Sequence, residues 1–220
     1  MKRLLTILIL LLSVQTVDAQ IVRPPELRLQ FHRAERAWRT GASLHEAKRR
    51  LDQVIAELPE DTEALLLRGK VLLMLDDAEG AMEDAQATVG LEPENGEAWL
   101  LFAEAARTAG AVDTALSALK EAGDLIQGGA DLHVRLSINA RMLGDLDQAE
   151  AFARVARTQD PGSPAAHLQL ARVFVAKNRT DAAATVLAGA LENGVLSPAD
   201  VISDRELQPL TALPALAAWF

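Results

Sequence analysis

Four histidines are the side chains in this sequence whose type and spacing could bind a metal ion. His32 precedes Glu35 by three residues, so both would share one helix face and could hold a cation between them. Two ligands of mixed type are too few for a metal site, and we expect no metal. His133 and His167 lie in equivalent positions of a repeat described below, where we expect half-buried structural side chains.

Neighbouring carboxylates are the other groups that could do chemistry. Asp76 and Asp77 are adjacent, and Glu92 lies two residues before Glu94. A general acid and base need a desolvated cleft, whereas these pairs fall in predicted turns. The sequence also contains no cysteine, no tyrosine, no nucleophile elbow and no phosphate-binding loop. We therefore expect no enzyme activity, no catalytic residue and no cofactor.

The elements that carry these residues repeat every 34 positions without a gap, with residues 62–95 as the template. A column of alanines shows this register: Ala47, Ala81, Ala115, Ala149 and Ala183. A proline column follows it at Pro59, Pro93 and Pro161, with Gln127 as the exception. Proline cannot continue a helix, so each unit should end there. The predicted units are 28–61, 62–95, 96–129, 130–163 and 164–197, after a lead at 20–27.

Each unit should contain two antiparallel helices. A second column predicts the turn between them, because its residues accept the left-handed conformation that ends a helix: Asp76, Gly110, Gly144 and Asn178, with Gly41 one place early. Small residues on the first helix, at Gly69, Ala103, Ser137 and Ala171, indicate close approach to the second helix. Only 4% of the residues are aromatic and no window alternates as a strand does, so we expect no sheet.

The 34-residue period, the two small-residue columns and the closing proline together resemble the tetratricopeptide repeat. This resemblance covers residues 28–197 and implies an all-α, right-handed solenoid of five helix-turn-helix units. Some residues depart from the pattern. Arg68 stands in a usually apolar column, Glu35 in the small-residue column, and the two later histidines in the column of Trp99.

The first 19 residues read as a cleavable signal peptide, with Lys2 and Arg3 before an apolar run and small residues at its end. Cleavage is expected between Ala19 and Gln20, and a retained membrane anchor is the alternative. The apolar run is shorter than the roughly 20 residues needed to span a bilayer, so we expect no transmembrane span in the mature chain. The protein should therefore be exported, to the periplasm or further out.

The formal net charge of −9 opposes binding to nucleic acid or anionic lipid. The resemblance implies that first helices line a concave face. The residues expected on this face are mostly basic, in contrast to the negative chain as a whole. Its expected partner-binding residues are an apolar floor and a basic rim: Leu66, Leu100, Val134 and Leu168, with Arg36, Arg39, Lys70, Arg107, Arg141 and Arg172. One hypothesis is that this groove binds an acidic, partly apolar segment. The other is that the basic side chains only neutralise acids of neighbouring first helices: Glu63, Glu97, Glu104 and Asp131.

The last residues, 198–220, leave the 34-residue register. Helix-start signals at Ser197, Asp204 and Pro214 predict short helices, and apolar residues there could cover the open end of the array: Leu207, Leu210, Leu213, Leu216 and Trp219. An exposed docking tail ending in Trp219 and Phe220 is the alternative. The sequence thus predicts an exported, non-enzymatic adaptor that binds another protein. A structural subunit fixed in a larger envelope or secretion assembly remains the second hypothesis, and oligomeric state is not predicted.

Overall fold

The computed structural model describes residues 21–220, so the predicted signal peptide and its cleavage site lie outside the described residues. Ten helices follow one another, two to each predicted unit: α1 Pro25–Thr40, α2 Leu44–Glu57, α3 Thr62–Met74, α4 Ala78–Leu91, α5 Gly96–Thr108, α6 Val112–Leu125, α7 Ala130–Met142, α8 Leu146–Gln159, α9 Pro164–Ala176 and α10 Thr180–Glu192. A short α11, Pro198–Ile202, and a 3₁₀ helix, Gln208–Ala212, complete the chain. Residues 21–220 contain no strand, which confirms the all-α prediction. None of their helices is both long and apolar enough to cross a membrane.

The turns inside the units have the predicted left-handed backbone. Four of the residues that make them have positive φ angles: Asp76 at 60°, Gly110 at 80°, Gly144 at 86° and Asn178 at 57°. Gly41 ends α1 in the same conformation, with a φ of 65°. Aspartate, asparagine and glycine tolerate this region better than other residues, so residue type at one position sets where each first helix ends.

Polar side chains begin five of the helices. Asp61, Asp77, Asn95, Asp145 and Ser163 each accept a hydrogen bond from the backbone N–H three residues further on. Each cap of this kind contributes about 0.5–2 kcal/mol to helix stability. Asp77 therefore satisfies a helix end and is exposed to solvent.

The small-residue columns are the contacts between paired helices. All five alanines of the 34-residue column are fully buried, as predicted. Ser137 Oγ on α7 donates to the carbonyl oxygen of Ala149 on α8 at 2.7 Å, which requires close backbones. A Cβ on Gly69 would lie 3.5 Å from the carbonyl oxygen of Ala81 on α4 and 2.8 Å from Leu101 Cδ2 on α5, so a larger residue would displace this leucine methyl.

Successive first helices contact one another directly along the array, from α1 and α3 to α7 and α9. Contacts between successive second helices within residues 21–220 are sparse by comparison. The first helices therefore lie on the inner, concave side and the second helices on the outer side. The apolar core is a series of clusters, each shared by adjacent units.

The chain end covers the last unit. Helix α11 begins 34 residues after α9 and occupies the start of a sixth first helix, which stops at Ile202. Leu207, Leu210 and Leu216 are then buried in the cluster formed by α9 and α10. Trp219 differs from the prediction, because it is 37% exposed and does not belong to this cluster.

The start of the described chain is also fastened to the array. The Arg23 guanidinium lies 3.8 Å from the centre of the Phe31 ring in α1. It also forms ion pairs with Asp61, which caps α3, and with Glu63. The lead before α1 thus contacts the second unit directly.

Candidate partner-binding groove

The predicted apolar floor of the concave face is largely covered by packing. Leu66 and Val134 are 9% exposed, and Leu100 is fully buried. Leu168 is half-buried against the cluster that holds the C-terminal residues. These side chains fill the space between neighbouring units, so they offer little surface to a partner. Leu73 and Ile138, which lie on the same helices and are half-buried, provide the open apolar surface instead.

Most of the predicted basic rim already has acidic partners within the chain. Lys70 Nζ lies 2.7 Å from Glu97 Oε1, and Arg39 contacts Glu35 at 2.7 Å. The other two pairs join the rim to the C-terminal segment: Arg141 with Glu206 at 2.9 Å and Arg172 with Asp204 at 2.7 Å. Among residues 21–220, Arg36 and Arg107 form no ion pair. The concave face is therefore less positive than the sequence columns suggest.

Arg135 is a groove residue that the sequence columns missed. Its guanidinium donates two hydrogen bonds to the Glu104 carboxylate, at 2.9 and 2.6 Å, and lies 3.5 Å from Glu97. Burial alone would raise the pKa of Glu97, but hydrogen bonds from Lys70 and then Arg135 outweigh it and lower that pKa. Glu97 therefore stays charged at neutral pH, and Lys70 and Arg135 neutralise it. The neutralisation hypothesis thus describes Glu97 and Glu104, although a different arginine holds Glu104.

A cavity of about 260 Å³ lies in the middle of the concave face, between α3, α5 and α7. Its lining combines apolar, basic and amide side chains: Leu73, Glu104, Arg107, Thr108, Arg135, Ile138 and Asn139. Arg107 Nε donates to Asn139 Oδ1 at 2.8 Å, and that amide is itself fixed by the carbonyl of Arg135. The guanidinium of Arg107 is therefore oriented by a neutral group. Its terminal nitrogens remain able to donate to a carboxylate.

A larger depression of about 720 Å³ lies at the turn between the third and fourth units. Its lining is Gly128–Leu132 with Gln159 and Asp160, so it contains acids and glycines without a basic or aromatic side chain. It is broad and open to solvent, and it has no group that selects an acidic ligand. The central cavity is therefore the better candidate site on this chain.

Two of the four histidines have structural roles. His133 and His167 are buried, and the Nδ1 atom of each lies near the carbonyl oxygen four residues earlier, at 3.1 and 3.0 Å. They are more buried than predicted. His32 Nδ1 lies 3.5 Å from Glu35 Oε2 on the exposed face of α1. No group of three metal-ligating side chains occurs in the described part of the chain.

Arg68 departs from the repeat pattern because it forms a partly buried charge network. It donates to both carboxylate oxygens of Asp84, at 2.8 and 2.6 Å, and to Asp52 at 2.9 Å. Asp84 is 3% exposed, and its equivalents in the next units are Ala118 and Phe152. Arg68 and Asp84 lie 16 residues apart, and each places a charge in an otherwise apolar column of the repeat. This pattern in the sequence could have predicted the pair. Hydrogen bonds to Asp84 raise the pKa of Arg68 and burial lowers it. The hydrogen bonds outweigh burial, so the pKa is raised.

Similar folds occur among solved structures. A thermophilic protein with this repeat from Thermus thermophilus is 25% identical, with a TM-score of 0.63 over 76% of this chain and 90% of that chain. PilW, a type IV pilus biogenesis factor, has a TM-score of 0.70 at 14% identity, over 90% and 91% of the two chains. MamA of Desulfovibrio magneticus RS-1 has a TM-score of 0.61 at 21% identity, over 78% and 96%. The likeness to PilW and MamA shows the fold alone.

The sequence itself matches the profiles of one family. Profiles of the tetratricopeptide repeat match residues 31–91, 75–130 and 140–199. A comparison with curated protein sequences gives no match. The matched ranges include all ten long helices in whole or in part. The chain belongs to the tetratricopeptide repeat family.

Proposed function

We propose that this protein is a non-catalytic adaptor that binds an acidic, partly apolar segment of another protein at the centre of its concave face. Proteins with this repeat bind other proteins and are in general interaction modules without catalytic activity. The observation that carries the proposal is the central cavity, where Arg107 has no acidic partner among the described residues and lies beside Leu73 and Ile138.

The charges around the cavity favour a carboxylate ligand. Arg107 and Arg135 both line it, and Glu104 offsets only one of them. The cavity is thus positive on a chain whose formal net charge is −9. A guanidinium that is already held by Asn139 loses little freedom when a carboxylate binds, and arginine can donate two parallel hydrogen bonds to it.

The proposed location is the cell envelope. It rests on residues 1–19, whose basic start and apolar run are typical of a cleavable signal peptide. PilW, which shares the fold, is a type IV pilus biogenesis factor, and a role in an envelope assembly would be compatible with such a location.

Crosslinking in intact cells tests the binding site. Arg107→Glu should reduce partner capture at least about tenfold, because a charged hydrogen bond of roughly 1.5–3 kcal/mol is replaced by repulsion. Lys120→Glu is the matched control, since this exposed residue lies on α6 of the same unit and makes the same charge change on the outer side. Capture that persists in Arg107→Glu and fails in Lys120→Glu would place the partner on the convex face.

A fixed subunit of a larger assembly is the second candidate function. The exposed end of the first unit favours it, because Val22 is 86% exposed and Leu29 on α1 is 49% exposed. A stable assembly would cover such apolar side chains. Copurification separates the two candidates: an adaptor should be released as salt is raised, whereas a permanent subunit should remain at fixed stoichiometry.

A further inference from the structure

Arg141 is held less completely than Arg135 and Arg172 on the concave face. Its Nη1 donates one hydrogen bond to Glu206 at 2.9 Å. Its Nε is buried and has no hydrogen-bond acceptor among residues 21–220. By contrast, Arg135 binds both oxygens of Glu104, and Arg172 uses Nε and Nη2 on Asp204. A buried N–H without an acceptor is uncommon and calls for an explanation.

Glu206 is also an unusual partner. It lies 65 residues from Arg141, which is the longest sequence separation of any side-chain hydrogen bond among the described residues. The Glu206 side chain is 46% exposed, and an ion pair this exposed is worth little. Its side chain can therefore leave Arg141 at small cost.

The residues on either side of Glu206 are firmly held. The Asp204 side chain is 7% exposed, pairs with Arg172 and accepts the backbone N–H groups of Glu206 and Leu207. Leu207 is fully buried. Rotation of the Glu206 side chain consequently leaves the C-terminal cap in place.

Arg107 and Arg141 occupy the same position in consecutive units, on α5 and α7, and these helices are in contact. Adjacent helices are about 8–10 Å apart, so equivalent positions on α5 and α7 are spaced by roughly that distance. A segment in the polyproline II conformation rises about 3.1 Å per residue with three residues per turn, so side chains three residues apart lie on one face about 9 Å apart. Two carboxylates three residues apart in such a segment match this spacing.

We propose that Glu206 is a built-in competitor at Arg141, and that the groove takes a segment in the polyproline II conformation with two carboxylates three residues apart, one on Arg107 and one on Arg141. This inference rests on the proposed function of the central cavity. The incoming carboxylate replaces Glu206 and gives the guanidinium a second hydrogen bond. Residues 203–216 otherwise keep their contacts with the last unit.

Fluorescence polarisation with a labelled decapeptide tests this on the full mature chain. The probe has two glutamates three residues apart among prolines and leucines, and companion probes have glutamine at either or both positions. Glu206→Gln should tighten binding of the doubly acidic probe about two- to fivefold. Glu192→Gln is the matched control, because Glu192 is exposed at the end of α10 and forms no ion pair among residues 21–220. Unchanged far-UV circular dichroism and thermal midpoints should accompany both variants.

A second variant locates the effect. In an Arg141→Gln background, Glu206→Gln should no longer increase the affinity for the doubly acidic probe. The Arg141→Gln protein should also bind one of the two singly acidic probes as tightly as it binds the doubly acidic probe. Equal affinity of Glu206→Gln and Glu192→Gln, with binding still weakened by Arg107→Gln, would overturn the role of Glu206 and leave the proposed function standing. Binding that is absent in every form, or indifferent to Arg107→Gln, would overturn the proposed function and this inference with it.

Discussion

Replacing the charges between α3 and α4 should produce strongly non-additive changes in stability. Arg68→Leu leaves the Asp84 carboxylate, 3% exposed, without its two hydrogen bonds. Breaking a buried pair in this way costs about 3–5 kcal/mol. Asp84→Ala should cost less, about 1–3 kcal/mol, because Arg68 has a 23% exposed side chain and keeps Asp52 at 2.9 Å.

The double variant, Arg68→Leu with Asp84→Ala, should be within about 1 kcal/mol of the wild-type protein. It introduces the kind of apolar pair that the repeat uses elsewhere, such as Leu136 with Phe152 and Leu170 with Val186. Replacement of a buried ion pair by apolar residues is often neutral or stabilising. The coupling energy of the double-mutant cycle should therefore exceed about 2 kcal/mol.

Urea unfolding followed by far-UV circular dichroism at pH 7 measures these free energies, with equal m-values required for the comparison. Arg49→Leu serves as a control, because this arginine is 74% exposed in its side chain and should change stability by less than about 0.5 kcal/mol. A coupling energy below about 0.5 kcal/mol, or a larger cost for Asp84→Ala than for Arg68→Leu, would refute the burial argument.

Three further predictions concern packing, pH and processing. Ala115→Leu should lower the free energy of unfolding by about 1–3 kcal/mol through overpacking. Ser117→Leu, at an exposed position, should change it by less than about 0.5 kcal/mol. Equal denaturant midpoints for the two variants would contradict the repeat register. Burial alone would raise the pKa of Glu150, but hydrogen bonds from Lys177 and Arg154 lower it from 4.5 to about 2. Because the pKa of Glu150 is lower in the folded state, the ionised carboxylate stabilises the fold fully above about pH 4.5, and this contribution is lost as the pH falls towards 2. Glu150→Gln should remove on the order of 1–2 kcal/mol of this acid dependence of the free energy of unfolding. Unfolding measured between about pH 2 and 6 tests this. The intact mass of the exported protein should begin at Gln20, and a membrane-bound form retaining residues 1–19 would indicate an anchor.

Features that repeat locally could be read from the sequence. The positive φ angles at Asp76 and Asn178 follow from residue type at one position of the period. The burial of Ala115 and Ala149 follows in the same way, because a column of small residues marks where paired helices approach. Each of these predictions needs only the contacts inside one unit.

The properties of the groove depend on how units rotate against one another, which a period of 34 does not specify. The prediction placed Leu100 on an open floor, but the stacking of α5 against its neighbours buries this side chain completely. Ile138 provides the open surface instead. The pairing of Glu206 with Arg141 could not be predicted either, because residues 203–220 lie outside the repeat register. The 34-residue period does not specify which unit they contact.

The N-terminal lead is tied past the first unit, because Arg23 forms ion pairs with Asp61, which caps α3, and with Glu63. A stack of units with only nearest-neighbour contacts loses its terminal units first, so hydrogen exchange is fastest at the ends and slowest in the middle. Here the first unit lies between the lead and the second unit, and the Arg23 and Asp61 side chains are only 13% and 2% exposed. Hydrogen exchange in the first unit should therefore be slower than the repeat architecture alone would give. The Glu206–Arg141 pair at the other end is too exposed to slow exchange in the last unit to the same extent.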